Sequence, residues 1–133
     1  MLQNAAKGCT DGGIMQRLER LDAALLFDLY GELLTGRQQR TWQLYWLDDW
    51  SLAEVAEDEG ISRAAVYDLL GRTQRLLLDF EDKLGLVRAF KVKQEALADL
   101  REALLAVPEH FEGWGRAWQA YLRVAKEEGL SDV

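Results

Sequence analysis

Apolar residues recur along this chain every three or four positions and nowhere every second one. Between Met15 and Leu34, the positions Leu18, Leu21, Leu25, Leu29 and Leu33 fall on one stripe, broadened by Phe27 and Tyr30, which predicts an amphipathic helix. Thr35 can cap a second helix from Arg37 to Leu47, with Trp42, Tyr45 and Trp46 on its apolar face and Leu44 and Leu47 beside them. Asp48, Asp49 and Trp50 form a short polar link. Leu86 to Ala106 predicts a later helix with Leu97, Leu100 and Leu104 on one face, ended by Pro108. The last helix is expected from Glu109 to Glu128, with Phe111, Trp114, Trp118, Tyr121, Leu122 and Ala125 on its stripe and Gly129 after it.

Between these lies the most informative stretch, Ser51 to Arg72. Ser51 stands three residues before Glu54, the spacing at which each side chain satisfies the other residue's backbone N–H. Leu52, Val55 and Ala56 give one apolar face. Gly60 sits where a left-handed C-terminal cap is needed, and Ile61 can plug the turn. Ser62 caps a further helix whose inner face begins with Val66, Leu69 and Leu70. Two capped helices around a short glycine-bearing turn are the signature of a helix-turn-helix. The second helix is expected to run to Lys83 through Leu76, Leu77 and Phe80, with Gly71 as its weak point and Gly85 as a break. The fold class is therefore all-α, a wingless helix-turn-helix bundle with additional C-terminal helices.

Composition narrows the picture. At 133 residues the chain suits one domain, or a small core with a helical extension, and is large enough to fold without metal or disulfide. We expect a disordered segment over 1–14, a helix-turn-helix domain over 15–85, and a C-terminal extension over 86–133 that serves dimerisation. Met15 is a plausible alternative start. Cys9 is the sole cysteine, which fits a reducing cytoplasm. No apolar run exceeds the five residues of Ala23–Phe27 or Ala103–Val107, too short for a membrane span, and the opening residues lack the apolar core of a secretory signal.

The net charge is −7, and residues 35–85 carry six bases against ten acids. DNA-binding modules usually present a basic face, because phosphate contacts dominate their affinity. If the second motif helix enters a major groove, the face away from Val66 and Leu70 does the reading: Ala64, Asp68, Gly71 and Arg75, flanked by Arg63, Tyr67 and Arg72. Arg63 and Arg72 can reach guanine edges or phosphates, Arg75 a phosphate further along, while Ser51 and Ser62 offer helix N-termini. The opposing reading pairs these arginines with Asp68, Asp79 or Glu59 on a solvated surface. Asp48 and Asp49 beside the first motif helix, and Asp68 on the reading face, would repel phosphate. The small residues Ala64 and Gly71 suit approach by a protein as well as by a groove.

Catalysis has little foundation here. His110, the sole histidine, has no second histidine or cysteine at ligand spacing, so neither a metal nor any other cofactor is implied. The acidic runs Asp48–Asp49 and Glu57–Asp58–Glu59 read as solvated surface. Trp42, Tyr45 and Trp46 read as core, because they stand at helical spacing beside leucines. The last two helices carry more apolar stripe than one small domain can cover, which predicts a homodimer.

Three stretches carry a resemblance: Phe27–Thr35 (FDLYGELLT), Leu44–Ala56 (LYWLDDWSLAEVA) and Ile61–Asp68 (ISRAAVYD). Over about residues 15–90 the chain resembles the YlxM-like family of small bacterial helix-turn-helix proteins. That family is itself similar to the fourth region of sigma factors, which reads promoter DNA. The resemblance implies a cytoplasmic, dimeric, non-catalytic regulator that binds DNA or acts with components of the signal recognition particle, whose genes neighbour the family's. Gly71 departs from the helix-forming residue expected at its position.

Overall fold

The computed structural model describes residues 18–127. Six α-helices account for most of them: α1 (Arg20–Tyr30), α2 (Gly36–Trp42), α3 (Leu52–Glu59), α4 (Arg63–Leu84), α5 (Leu86–Leu105) and α6 (Trp114–Glu127). A 3-10 turn (Gly31–Leu33) follows α1, a π-helical segment (Gln43–Leu47) extends α2, and there is no strand among the described residues. The chain divides into two compact units, 1–87 and 88–133. The expectations for residues 1–14 and for Met15 lie outside the described residues.

The first unit is built around α4, against which α1, α2 and α3 all pack. Its core contains Leu26, Tyr30, Trp42, Val55, Val66, Leu70 and Leu77, with Tyr45, Trp46 and Ile61 packed at its edge. Caps define the helices as expected. Thr35 and Gln38 close a reciprocal capping box on α2, Ser51 and Glu54 close another on α3, and the Ser62 hydroxyl accepts the Ala65 N–H at 3.0 Å. Gly60 adopts φ 70°, ψ 32°, the left-handed conformation that a Cβ would strain, and the chain turns there between α3 and α4.

Three expectations are corrected. The leucine stripe proposed for the first helix has the wrong phase. Leu21, Leu29 and Leu33 are exposed, while Ala23, Leu26 and Tyr30 fill the core. Leucines occupy both faces of this helix, so spacing by itself could not choose between them. The second helix is not uniformly α-helical: beyond Trp42 it widens into the π segment, closed by the Asp48 N–H donating to the Gln43 carbonyl at 2.9 Å. The extra residue in that turn rotates the face so that both Trp42 and Leu44 are buried. The last helix begins at Trp114 rather than Glu109, and Phe111 is exposed in the preceding loop.

The corner after α4 is held by a buried network. Gly85, at φ 64°, ends α4, and α5 starts immediately. Its first N–H groups find partners from elsewhere in the unit: the Leu86 N–H donates to the Tyr30 hydroxyl at 3.0 Å, and the Val87 N–H donates to Glu81 Oε1 at 2.9 Å. Tyr30 in turn donates to the same Glu81 oxygen at 2.7 Å. Burial, then the Glu81 contact, push the Tyr30 hydroxyl up to about 12, so it stays protonated as a donor.

In the second unit, α5 and α6 form an antiparallel hairpin. Leu97, Tyr121 and Ala125 are its buried centre, with Leu104, Trp118 and Leu122 packed against them. The Trp114 Nε1–H donates at 2.7 Å to the Leu104 carbonyl, which also accepts the Val107 N–H at 3.2 Å, and so joins the end of α5 to the start of α6. Trp114 stacks on Trp118, and Trp118 on Tyr121.

Candidate nucleic-acid interface

Whether α4 can serve as a probe depends on which of its side chains are spare. Val66, Leu70, Thr73, Gln74, Leu77 and Glu81 face inward. The opposite strip carries Ala64, Asp68, Arg72 and Arg75, all exposed, and their helical spacing aligns them along one line. Arg63 is exposed in the first turn, round the helix from that strip, and Tyr67 is half-buried on the flank. Gly71 is buried, which corrects its placement on the reading face. The helix is continuous through it. The strip extends about 16 Å from Ala64 to Arg75 at the usual rise per residue.

Arg63, Arg72 and Arg75 make no ion pair or side-chain hydrogen bond among the described residues. Of the carboxylates expected to quench them, Glu59 and Asp79 are engaged elsewhere, while Asp68 is not. Glu59 pairs with Arg40 at 3.1 Å and Arg37 at 3.6 Å, Asp58 pairs with Arg40 at 2.7 Å, and Asp79 pairs with Lys83 at 3.0 Å. The hydrogen bond to Asp58 is the main reason the Arg40 guanidinium holds its proton above its ordinary range. The run Glu57–Asp58–Glu59 is therefore only partly free surface, because α2 clamps the end of α3 through two of its three carboxylates. Sequence spacing could not reveal this, since the partners are 18 to 22 residues apart.

Asp49 is also engaged. It adopts φ 63°, a left-handed conformation tolerated by aspartate, and accepts a hydrogen bond from Arg20 Nη2 at 2.7 Å. Arg20 also donates to the Trp46 carbonyl at 3.1 Å, which ties α1 to the link before α3. Asp48, Glu57 and Asp68 remain exposed and unpaired among the described residues. Ser51 borders a shallow cleft of about 360 Å³ with Arg20, Trp46, Asp49, Trp50 and Glu54. Both candidate serine hydroxyls are already accepting cap hydrogen bonds, so each offers a ligand its helix end rather than a free acceptor. No group of three His, Cys, Asp or Glu side chains among the described residues could hold a metal ion.

Two capped helices meeting at a left-handed glycine, with the second presenting an exposed cationic strip, define a helix-turn-helix protein. The chain belongs to the family described as "Putative helix-turn-helix protein, YlxM / p13 like", whose model matches residues 17–112. It is similar to a UPF0122 protein of Halalkalibacterium halodurans, 47% identical over 79 residues that cover 59% of this chain and 72% of the relative. A UPF0122 protein of Symbiobacterium thermophilum is 44% identical over 90 residues, covering 68% and 82%. One from Bacillus mycoides is 47% identical over 85 residues, covering 64% and 76%. Among the described residues, no helix is long and apolar enough to cross a membrane.

Proposed function

We propose that this protein is a non-catalytic, cytoplasmic, homodimeric regulator that binds double-stranded DNA through α4, in the manner of a sigma-factor fourth region. One observation carries the reading: Arg63, Arg72 and Arg75 stand exposed and unpaired on the second motif helix, while Glu59 and Asp79 are held by other cations. The acidic composition of the region therefore overstates the negative charge next to the probe. In this reading Arg63 and Arg72 contact guanine edges or phosphates, Arg75 a phosphate further along, and Ala64 lets the backbone approach closely. Tyr67 packs at the flank, and Ser51 and Ser62 present helix N-termini to the phosphate backbone.

The exposed, unpaired Asp68 on the same strip favours a second reading. There α4 meets a basic protein or ribonucleoprotein, such as a component of the signal recognition particle, and DNA is not bound. Fluorescence anisotropy with labelled duplex, from low to moderate salt, separates the two. DNA binding predicts affinity that falls as salt rises, and a log–log slope smaller by about one for Arg72→Ala. Absence of binding at low salt overturns the first reading and directs attention to a lysate pull-down, with and without nuclease, for the second.

A further inference from the structure

The α5–α6 hairpin has two unlike sides. Along α5, Ala89, Val92, Ala96, Leu100 and Ala103 are all exposed, at spacings of three, four, four and three. That is an eleven-residue repeat, which holds a stripe on one side of a nearly straight helix. At about 100° per residue, the stripe lies roughly 90° round α5 from Leu97 and Leu104, the positions packed toward α6. On α6, Ala117, Ala120 and Val124 lie roughly 90° in the same sense from Tyr121 and Ala125, and Ala117 and Val124 are exposed. The helices run in opposite directions, so equal offsets in the same sense fall on the same side. The hairpin thus carries a continuous face of small apolar residues, two helices wide.

Charge flanks this face asymmetrically. Arg88 stands at the first turn of the outer edge of α5 and Glu127 at the last turn of that of α6; between these ends α5 bears Glu95, Asp99 and Glu102, and α6 bears Arg116 and Arg123. These last five are all exposed, and none makes an ion pair among the described residues. The contact of Trp114 with Leu104 sets the antiparallel register. Counting outward from it brings Arg116 level with Glu102 and Arg123 level with Glu95, to within about one turn.

We propose that this face packs on the same face of a second copy, about a twofold axis parallel to the helices, to form a four-helix bundle. The proposal rests on the homodimer reading above and specifies its surface. That axis lays α5 of one copy over α6 of the other, which sets the carboxylate edge against the partner's arginine edge at matching heights. The alternative twofold, across the helices, stacks α5 on α5 and opposes three carboxylates to three carboxylates, an arrangement that like-charge repulsion disfavours. The alanines at every second position of the α5 stripe let the helices approach closely, while Val92 and Leu100 fill the gaps between them.

Sedimentation equilibrium of the full chain at micromolar concentration tests both levels. The wild type is expected at twice the 15.2 kDa of one chain. The double variant Glu95→Arg/Asp99→Arg is expected to raise the dimer dissociation constant at least about tenfold without loss of helical circular dichroism. Adding Arg116→Glu/Arg123→Glu in the same chain is expected to restore association. A monomeric wild type overturns the self-association reading itself. A dimeric wild type whose association ignores the charge reversal, or is not restored by the fourfold variant, overturns this surface while leaving self-association standing.

Discussion

Removing a single oxygen, Tyr30→Phe, tests the corner that joins α4 to α5. The hydroxyl belongs to a side chain only 1% exposed, donates to Glu81 at 2.7 Å and accepts from the Leu86 N–H at 3.0 Å. Phenylalanine keeps the ring and its tilted contact with Phe80 at 5.8 Å, so packing is nearly unchanged. What is lost is one hydrogen bond to a carboxylate, about 1.5–3 kcal/mol, together with the partner of a half-buried helix N–H, for which about 1 kcal/mol is a fair figure. The expected destabilisation is therefore about 2.5–4 kcal/mol, or a fall in Tm of the order of ten degrees for a domain of this size. Urea unfolding followed by tryptophan fluorescence measures it as a lower midpoint at unchanged m value.

A pH arm makes the reasoning stricter. The folded-state value of about 12 lies above the ordinary value of 10.0, so the native state holds the Tyr30 proton more tightly than the unfolded chain does. Stability from this group is complete below pH 10 and is lost as pH rises toward 12, a total of roughly 2–3 kcal/mol. The difference in stability between wild type and Tyr30→Phe should therefore shrink over that interval. A loss below about 0.5 kcal/mol at neutral pH, or a difference that stays constant from pH 9 to 12, would refute the assignment of the hydroxyl as the keystone of the corner.

Other expectations are quickly checked. Gly60→Ala introduces a Cβ at φ 70°, where nothing lies within 4 Å, so the cost is backbone strain alone: about 1–2 kcal/mol by chemical denaturation, with little change in the exposed strip of α4. Ser62→Ala removes the cap of α4 and should cost about 1 kcal/mol, most visible as faster amide exchange near Ala65. Leu26→Ala, in the core, should cost about 2–5 kcal/mol, whereas Leu21→Ala, 67% exposed, should stay within about 0.5 kcal/mol. Equal losses at these two positions would restore the original stripe and reverse the corrected phase of α1.

Local chemistry made much of the motif readable without coordinates. A serine three residues before a glutamate, a glycine after an apolar turn and a serine before the next helix act within four or five residues of one another. The caps of α3 and α4 and the turn at Gly60 follow from them directly. The outward direction of Ala64, Asp68 and Arg75, with Arg72 on their flank, follows too, because the inward positions Val66 and Leu70 fix the helix phase. Family membership was likewise legible, since the quoted stretches lie in these same segments.

Where two answers satisfied the same periodicity, tertiary structure decided. Leucines ring α1, and only its packing on α4 selects Leu26 and Tyr30 over Leu21 and Leu29. Gly71 has no side chain with which to reveal its environment, so its burial could not be read from the pattern. Ion pairing was equally hidden. Arg37 and Arg40 meet Glu59 and Asp58 past the π segment and the link that separate α2 from α3, and Glu81 caps a helix together with a tyrosine 51 residues away. Sequence by itself determined the contacts that a single helical turn or cap can close; contacts that need two distant segments brought side by side were decided by the fold, because only chain folding lowers the entropy of bringing them together.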